Sequence, residues 1–277
     1  MKVVFALLVL FALLIGALLL LAAFDRRADR AEWARLVALQ PGSPERFAPE
    51  LVADLPEPAR RYFTFAILPG TPLWRVAEIE MGGRFGLGGR ADPRYQPMQA
   101  RQILAAPEGF VWSLHTQGGM PISGSDSGRW TRFRLLGLIP VARDGGNPDH
   151  ARSAFGRYAA ETVFWAPAAL LQWPGATWEA VDADTARVTL RHGQLEQAVD
   201  VTVDAAGRPV RVSFMRWSNA NPDRTFRLQP FGGTLADFRE VEGFRLPFRV
   251  EAGNFFGTGD YFPFFVAEVS AIRFPQP

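Results

Sequence analysis

VDVTVDAAGRPVRVSF, from Val199 to Phe214, is the stretch whose reading decides the fold. Val199, Val201 and Val203 alternate with Asp200, Thr202 and Asp204, a period of two that puts the valines on one face and the polar side chains on the other. Asp204-Ala-Ala-Gly207 then supplies a tight turn, with Asp first and Gly fourth as type I geometry prefers. Beyond it Val210, Val212 and Phe214 alternate with Arg211 and Ser213, so the two runs pair as an antiparallel hairpin with one wet face. The same alternation marks Ala186, Val188 and Leu190 against Arg187, Thr189 and Arg191, and Phe244, Leu246, Phe248 and Val250 against Arg245, Arg249 and Glu251. Parallel sheets covered on both faces show continuous apolar runs instead. The pattern predicts a mainly β (α+β) chain: a curved antiparallel sheet or half-open β-barrel of roughly eight to ten strands. Its turns or bulges are expected at Gly82-Gly83, Gly88-Gly89, Gly118-Gly119 and Gly232-Gly233.

One helix interrupts the strands. Asn147 is placed to cap it, Pro148 suits its first position and Asp149 its first turn, and it runs to about Trp165. Ala151, Ala154, Phe155, Tyr158, Ala159, Thr162 and Val163 fall on one half of its wheel, which should face the sheet. After Pro167, Ala168 to Leu171 form a second apolar stretch that covers another part of the sheet before Gly175. Upstream, a helical stretch between Pro44 and Ile67, broken at Pro56 and Pro58, carries Tyr62, Phe63 and Phe65, an aromatic cluster expected to plug the main core.

At the N-terminus, Val3 to Phe24 reads VVFALLVLFALLIGALLLLAAF without a charge, and as a helix it spans roughly 33 Å, enough to cross a bilayer. Ala22-Ala23-Phe24 is a poor cleavage site and the apolar run exceeds that of a signal peptide, so the segment reads as a retained anchor. Residues 29 to 40 should form a separate short helix beside the membrane, ending before Pro41-Gly42. The expected organisation is an anchor over 1–24, a helical linker over 25–54 and a β domain over 55–277.

Composition excludes several functions. The 277 residues contain no cysteine, so a disulfide scaffold, a thiolate enzyme and a zinc-thiolate site are ruled out. The formal charge is only +2 and arginines alternate with acids along the strands, which is not the concentrated basic face that nucleic acid requires. Lys2 is the only lysine, so there is no phosphate loop of the familiar kind. His115, His150 and His192 have no partner at metal-ligand spacing, and neither a metal nor a cofactor is expected. Gly86-Leu-Gly-Gly-Arg-Ala91 matches a dinucleotide spacing, yet Asp92-Pro93 and Pro97 forbid the helix that must follow, so it reads as a hairpin end. Gly124-Ser-Asp-Ser-Gly128 has its serines at the wrong offsets for a nucleophile elbow and reads as a turn.

Glu161 sits at the edge of the apolar face of the internal helix, one turn from Arg157 and Trp165. It is either an i, i+4 partner of Arg157 or a polar group projecting into an apolar pocket. With Asp126 or Asp182 it could form the carboxylate pair of a hydrolase.

The chain from about Leu55 to Phe274 resembles a family of uncharacterised bacterial membrane-anchored proteins. The resemblance lies in Leu55-Pro-Glu-Pro-Ala-Arg-Arg-Tyr-Phe63, Gly109-Phe-Val-Trp112, Ser125-Asp-Ser-Gly128, Leu135-Leu-Gly-Leu-Ile-Pro140, Glu161 with Pro167 to Leu171, Trp178-Glu-Ala-Val-Asp182 and Gly243-Phe-Arg-Leu-Pro247. More distantly, the Val199 to Phe214 hairpin and the Gly243 to Val250 strand look like the lipoprotein carriers LolA and LolB. That likeness implies a half-open barrel around a helix with an apolar cavity for acyl chains. The anchor is a departure, since the free carrier has none.

These observations converge on a membrane-anchored binding protein for a lipid or other apolar ligand, held between curved sheet and helix. The expected lining residues are Trp112, Phe155, Tyr158, Trp165, Trp178, Phe248 and Phe256. The alternatives are an interaction domain on the membrane surface, or a hydrolase using Glu161. Arg26, Arg27, Arg30 and Arg35 after the anchor favour a cytoplasmic globular part by the positive-inside rule. The β-rich character and the resemblance favour export, and the expectation is the periplasmic side of a bacterial inner membrane, with one pass.

Overall fold

The computed structural model describes residues 1–276. Thirteen strands form one antiparallel sheet: β1 Val76–Gly86, β2 Tyr95–Ala105, β3 Gly109–Thr116, β4 Ile122–Ser127, β5 Trp130–Leu135, β6 Ile139–Gly145, β7 Thr177–Ala180, β8 Thr185–His192, β9 Leu195–Val203, β10 Pro209–Ser218, β11 Arg227–Val241, β12 Phe244–Asn254 and β13 Phe262–Arg273. The spatial order is β6-β5-β4-β3-β2-β1-β13-β12-β11-β10-β9-β8-β7. Each half is thus a simple meander of hairpins, and the β1–β13 pair joins them. Strands β6 and β7 remain unpaired edges, so the sheet curves without closing. Two helices, α3 (Pro148–Trp165) and α4 (Pro167–Leu171), carry the chain from one edge to the other.

The alternation that predicted the sheet is met residue by residue. Val199, Val201 and Val203, Ala186, Val188 and Leu190, and Phe244, Leu246, Phe248 and Val250 are all buried on the concave face. In the Asp204 turn the Asp204 carboxylate accepts from the backbone N–H groups of Ala206 and Arg208 at 2.9 and 3.0 Å, and Gly207 has φ +83°. More strands form than the eight to ten expected. The additional ones lie in the β4–β6 region, where the strands are short, β4 is rich in Ser, β5 carries Thr131, Arg132 and Arg134, and β6 is exposed at every position, so no apolar period announces them. Gly124 to Ser127 is strand rather than turn, and the chain reverses at Gly128-Arg129, where Ser127 Oγ accepts from the N–H groups of Arg129 and Trp130 at 3.0 Å.

Helix α3 opens as its sequence demands, with the Asn147 side chain accepting from His150 N at 2.8 Å. It was expected to bury half its wheel, yet from Ala154 onward it is buried nearly all round. The reason is its place inside the concavity. Gly156 allows this approach, since a β-carbon there would lie 2.7 Å from Gln197 Oε1 and 3.4 Å from a ring carbon of Phe214. Helix α2 (Glu57–Ala66) starts directly after Pro56, with Pro58 tolerated in its first turn, and plugs one end of the core through Tyr62 and Phe63. The Tyr62 hydroxyl donates to Val163 O at 2.5 Å and ties α2 to α3.

Helix α1 (Lys2–Val37) is continuous where two helices were expected. From Ala17 to Gln40 there is no Gly or Pro to break it. Its apolar first part is exposed and long enough to cross a membrane. Its polar second part docks on the convex face of the sheet, where Leu36 packs with Val76, Ile103, Ala105 and Val111 and Trp33 Nε1 donates to Glu78 at 2.7 Å. Asp25, buried, pairs with Arg132, Arg134 and Arg143 of β5 and β6.

The seam between the meanders depends on Gly83. Its φ is +124°, and a β-carbon would stand 2.1 Å from the Val266 carbonyl oxygen on β13. We expect Gly83→Ala to lower unfolding free energy by about 3 kcal/mol, measured by denaturant unfolding of the full chain, through backbone strain plus a widened seam.

Candidate functional site

Between α3 and the concave face lies a cavity of about 370 Å³, within the range of small-molecule sites. Its walls are aromatic. Strands β1 and β13 contribute Phe85, Phe264 and Phe265, β10 and β11 contribute Phe214 and Phe231, β3 and β5 contribute Trp112 and Phe133, and α3 adds Phe164 and Trp165. Gly232 and Gly233 bring the β11 backbone to the wall, and Ala160 is the small residue on the helix side. Sheet curvature creates this hollow because α2 and α4 fill only the other parts of the concavity.

Four charged side chains line the cavity: Asp126, Arg157, Glu161 and Arg216. Arg157 is held on every arm. Its Nε donates to Glu161 at 2.8 Å, Nη1 to Asp126 at 2.7 Å and Nη2 to Gln102 at 3.4 Å. Its guanidinium also stacks 4.8 Å from the rings of Phe110 and Trp112. Burial pushes Arg157 down, but the charges of Glu161 and Asp126 outweigh it and hold the guanidinium above its ordinary range. The carboxylates are committed in turn: Gln102 donates to Glu161 at 2.7 Å, and Thr131 donates to Asp126 at 2.5 Å, with His150 Nε2 a further 3.1 Å from the Thr131 hydroxyl.

Arg216 is different. It follows Val212 and Phe214 on the inner face of β10, and its guanidinium forms no ion pair or side-chain hydrogen bond among the described residues. It lies 5.0 Å over the Phe231 ring. Burial first, and then the neighbouring Arg157 charge, push it down to about 10, which leaves it a cation at neutral pH. The indole Nε1 of Trp112 is likewise buried without a partner.

The structure brings Glu161 and Asp126 together through Arg157 and leaves Asp182 elsewhere. Asp182 stands exposed after β7, where its carboxylate accepts from Asp184 N at 2.8 Å, a bond that holds it below its ordinary range. Of the aromatic candidates, Trp112 and Trp165 line the cavity. Phe155 packs on Tyr158 and Trp173, the Tyr158 hydroxyl donates to Pro107 O at 3.1 Å, and Trp178 stacks on Tyr62 and Phe63. Phe248 lies buried beneath Arg239, and Phe256 lies against Gly232 and Tyr261. Residue reading missed Phe85, Phe133, Phe164 and Arg216. Arg216 was visible as a charge at an inward position of an alternating strand.

Residues 45–267 match a family of unknown function, DUF6544. The chain belongs to this family. None of the curated proteins matches it. Among solved structures, it is similar to a LolA superfamily protein from Nitrosomonas europaea, at 12% identity and TM-score 0.40, over 78% of this chain and 91% of the other. A domain from Vibrio parahaemolyticus described as an outer membrane lipoprotein-sorting protein is similar at 12% identity and TM-score 0.38, over 82% of this chain and 91% of that one. In this DUF6544 chain, therefore, function must be read from the cavity and its charges.

Removing one charge that compensates Arg157 leaves a buried cation half paired. Glu161→Gln is expected to lower unfolding free energy by about 2 kcal/mol, while Asp182→Asn leaves the melting temperature unchanged, both followed by thermal circular dichroism.

Proposed function

We propose that this protein holds the apolar chain of a lipid or related ligand in the cavity beneath α3 while α1 tethers it to a membrane. The observation that carries the reading is an aromatic hollow of about 370 Å³ that the protein's own side chains leave unfilled. Protein interiors are packed to the density of organic crystals, so a hollow of that size with apolar walls is suited to a guest.

The β5–β6 hairpin supports a coupling of the two features. One face of it carries Arg132, Arg134 and Arg143, which hold Asp25 directly after the apolar run of α1. The other carries Phe133 and Ala142, which line the cavity. Leu136, Ile139 and Val141 at the same hairpin are exposed apolar side chains, and Val141 also lines the cavity. In this reading the hairpin rests at the bilayer surface, where a chain passes between leaflet and cavity without crossing water. The anchor ends near Phe24, and the β domain stands on the periplasmic side of the inner membrane.

Full-length protein extracted in native lipid discs should release a stoichiometric apolar ligand in native mass spectrometry. Ala160→Phe, which projects a ring into the hollow from α3, should reduce that occupancy several-fold while preserving a cooperative melt. A wild-type protein with no ligand at any stoichiometry, and no uptake of added lipid, would overturn the reading. The side of the membrane is tested separately. Because the chain has no cysteine, Ala205→Cys at an exposed turn gives one reporter. An impermeant maleimide should label it in intact spheroplasts, and labelling only after lysis would place the domain in the cytoplasm.

A further inference from the structure

Two of the polar side-chain atoms that are buried without a partner, Arg216 Nε and Trp112 Nε1, belong to residues that line one cavity. Both are donors, and neither side chain has an acceptor to offer. A buried donor left unpaired costs free energy, and a cation in apolar surroundings costs more. The acids of the lining do not meet that need, because Asp126 and Glu161 both direct an oxygen to Arg157 and have the other engaged by Thr131 and Gln102. Phe231, 5.0 Å away, offers Arg216 only its ring face. The Nε of Arg216 is one arm of the planar fork with which arginine binds carboxylate or phosphate side-on.

We propose that Arg216, assisted by the Trp112 indole, receives the anionic head of an amphiphile whose apolar tail occupies the cavity. This rests on the reading of the cavity as a site for an apolar chain, and it adds the charge and the chemical class of the ligand: a carboxylate or phosphate on a hydrocarbon tail. The lipid is selected by its head as well as housed by its tail. A neutral chain of equal length binds the same walls but leaves both donors unmet.

The test uses full-length protein in lipid nanodiscs and quenching of tryptophan fluorescence, since Trp112 and Trp165 line the cavity. The probes are bromododecanoate, bromododecyl phosphate and bromododecanol. Each is compared between wild type and Arg216→Gln, so that partition into the bilayer cancels. The expected result is a loss of about tenfold for the two anions, the scale of a charge-assisted hydrogen bond, and no change for the alcohol. Arg216→Lys, which keeps the charge but not the fork, should recover part of the loss. Since Arg216 makes no ion pair, neither variant should lower the melting temperature of the protein freed of ligand. Inorganic phosphate should not displace the amphiphiles at equal concentration. Equal losses for anions and alcohol, or no loss for the anions, would overturn the head-group assignment while leaving a cavity for apolar chains intact. Full displacement by inorganic phosphate would overturn the amphiphile in favour of a free anion. Failure of all three probes to quench overturns both the assignment and the reading beneath it.

Discussion

A guanidinium buried among aromatic rings has to be compensated, and the way Arg157 meets that demand fixes the interior of the molecule. Asp126 reaches it from β4, Glu161 from the next turn of α3, and Gln102 bridges from β2. Helix α3 is thereby tethered to one wall of the concavity by charge. On the opposite wall it is seated by shape, since Gly156 lets its backbone lie against Gln197 and Phe214. A helix held at two walls cannot sink onto the floor between them. The space left beneath Arg157, Ala160, Glu161, Phe164 and Trp165 is the cavity.

The same logic links that cavity to the N-terminal helix. Asp25 is a buried carboxylate whose partners are three arginines spaced along two neighbouring strands, and alternation turns the residues between those arginines inward. Docking of the helix and shape of the cavity wall therefore share one hairpin. A single-pass anchor joined by a flexible linker would leave the domain free to rotate. A continuous helix with Asp25, Asp29 and Trp33 bonded to the sheet restricts that freedom and fixes the direction in which the apolar part of the helix leaves the domain.

How much of this was legible in the chain follows from what each residue's neighbours are. Strands β8, β9, β10 and β12 have one face on the core and one in water, so Val199 to Phe214 and Phe244 to Val250 display a period of two that needs no structure to read. Strands β4 and β5 bury polar side chains, Ser125 and Arg134 bonded to α1 among them, and β6 is exposed throughout, so no apolar period marked these strands. The Asn147 cap and its following Pro148 are local chemistry and were readable. The aromatic cavity was not, because Phe85, Phe133 and Phe231 come from strands far apart in sequence and converge only through curvature. Conversely, Phe155 and Trp178 looked like lining and serve as packing, since a ring's type does not reveal which side of α3 or α2 it meets. Arg216 is the instructive miss: the alternation that found Val212 and Phe214 also points the next inward position at a charge.

An unfilled hollow is not free of consequence for stability. Rings left without packing partners forfeit dispersion contacts, and a cavity of about 370 Å³ forfeits them along its apolar walls. Water entering the hollow finds polar partners at the charged side chains of its lining but none at the rings of Phe85, Phe133, Phe164, Phe214 and Phe231. Filling the space with the protein's own side chains would have needed little more than larger residues at Ala160 or Ala252, both of which line it. A guest chain removes the same cost by covering the same rings, so occupancy and stability are coupled: whatever binds the folded cavity and not the unfolded chain raises the melting temperature in proportion to its saturation. The small residues and the unpaired Arg216 are both accounted for by the proposed ligand, a complement that arrives from outside the chain.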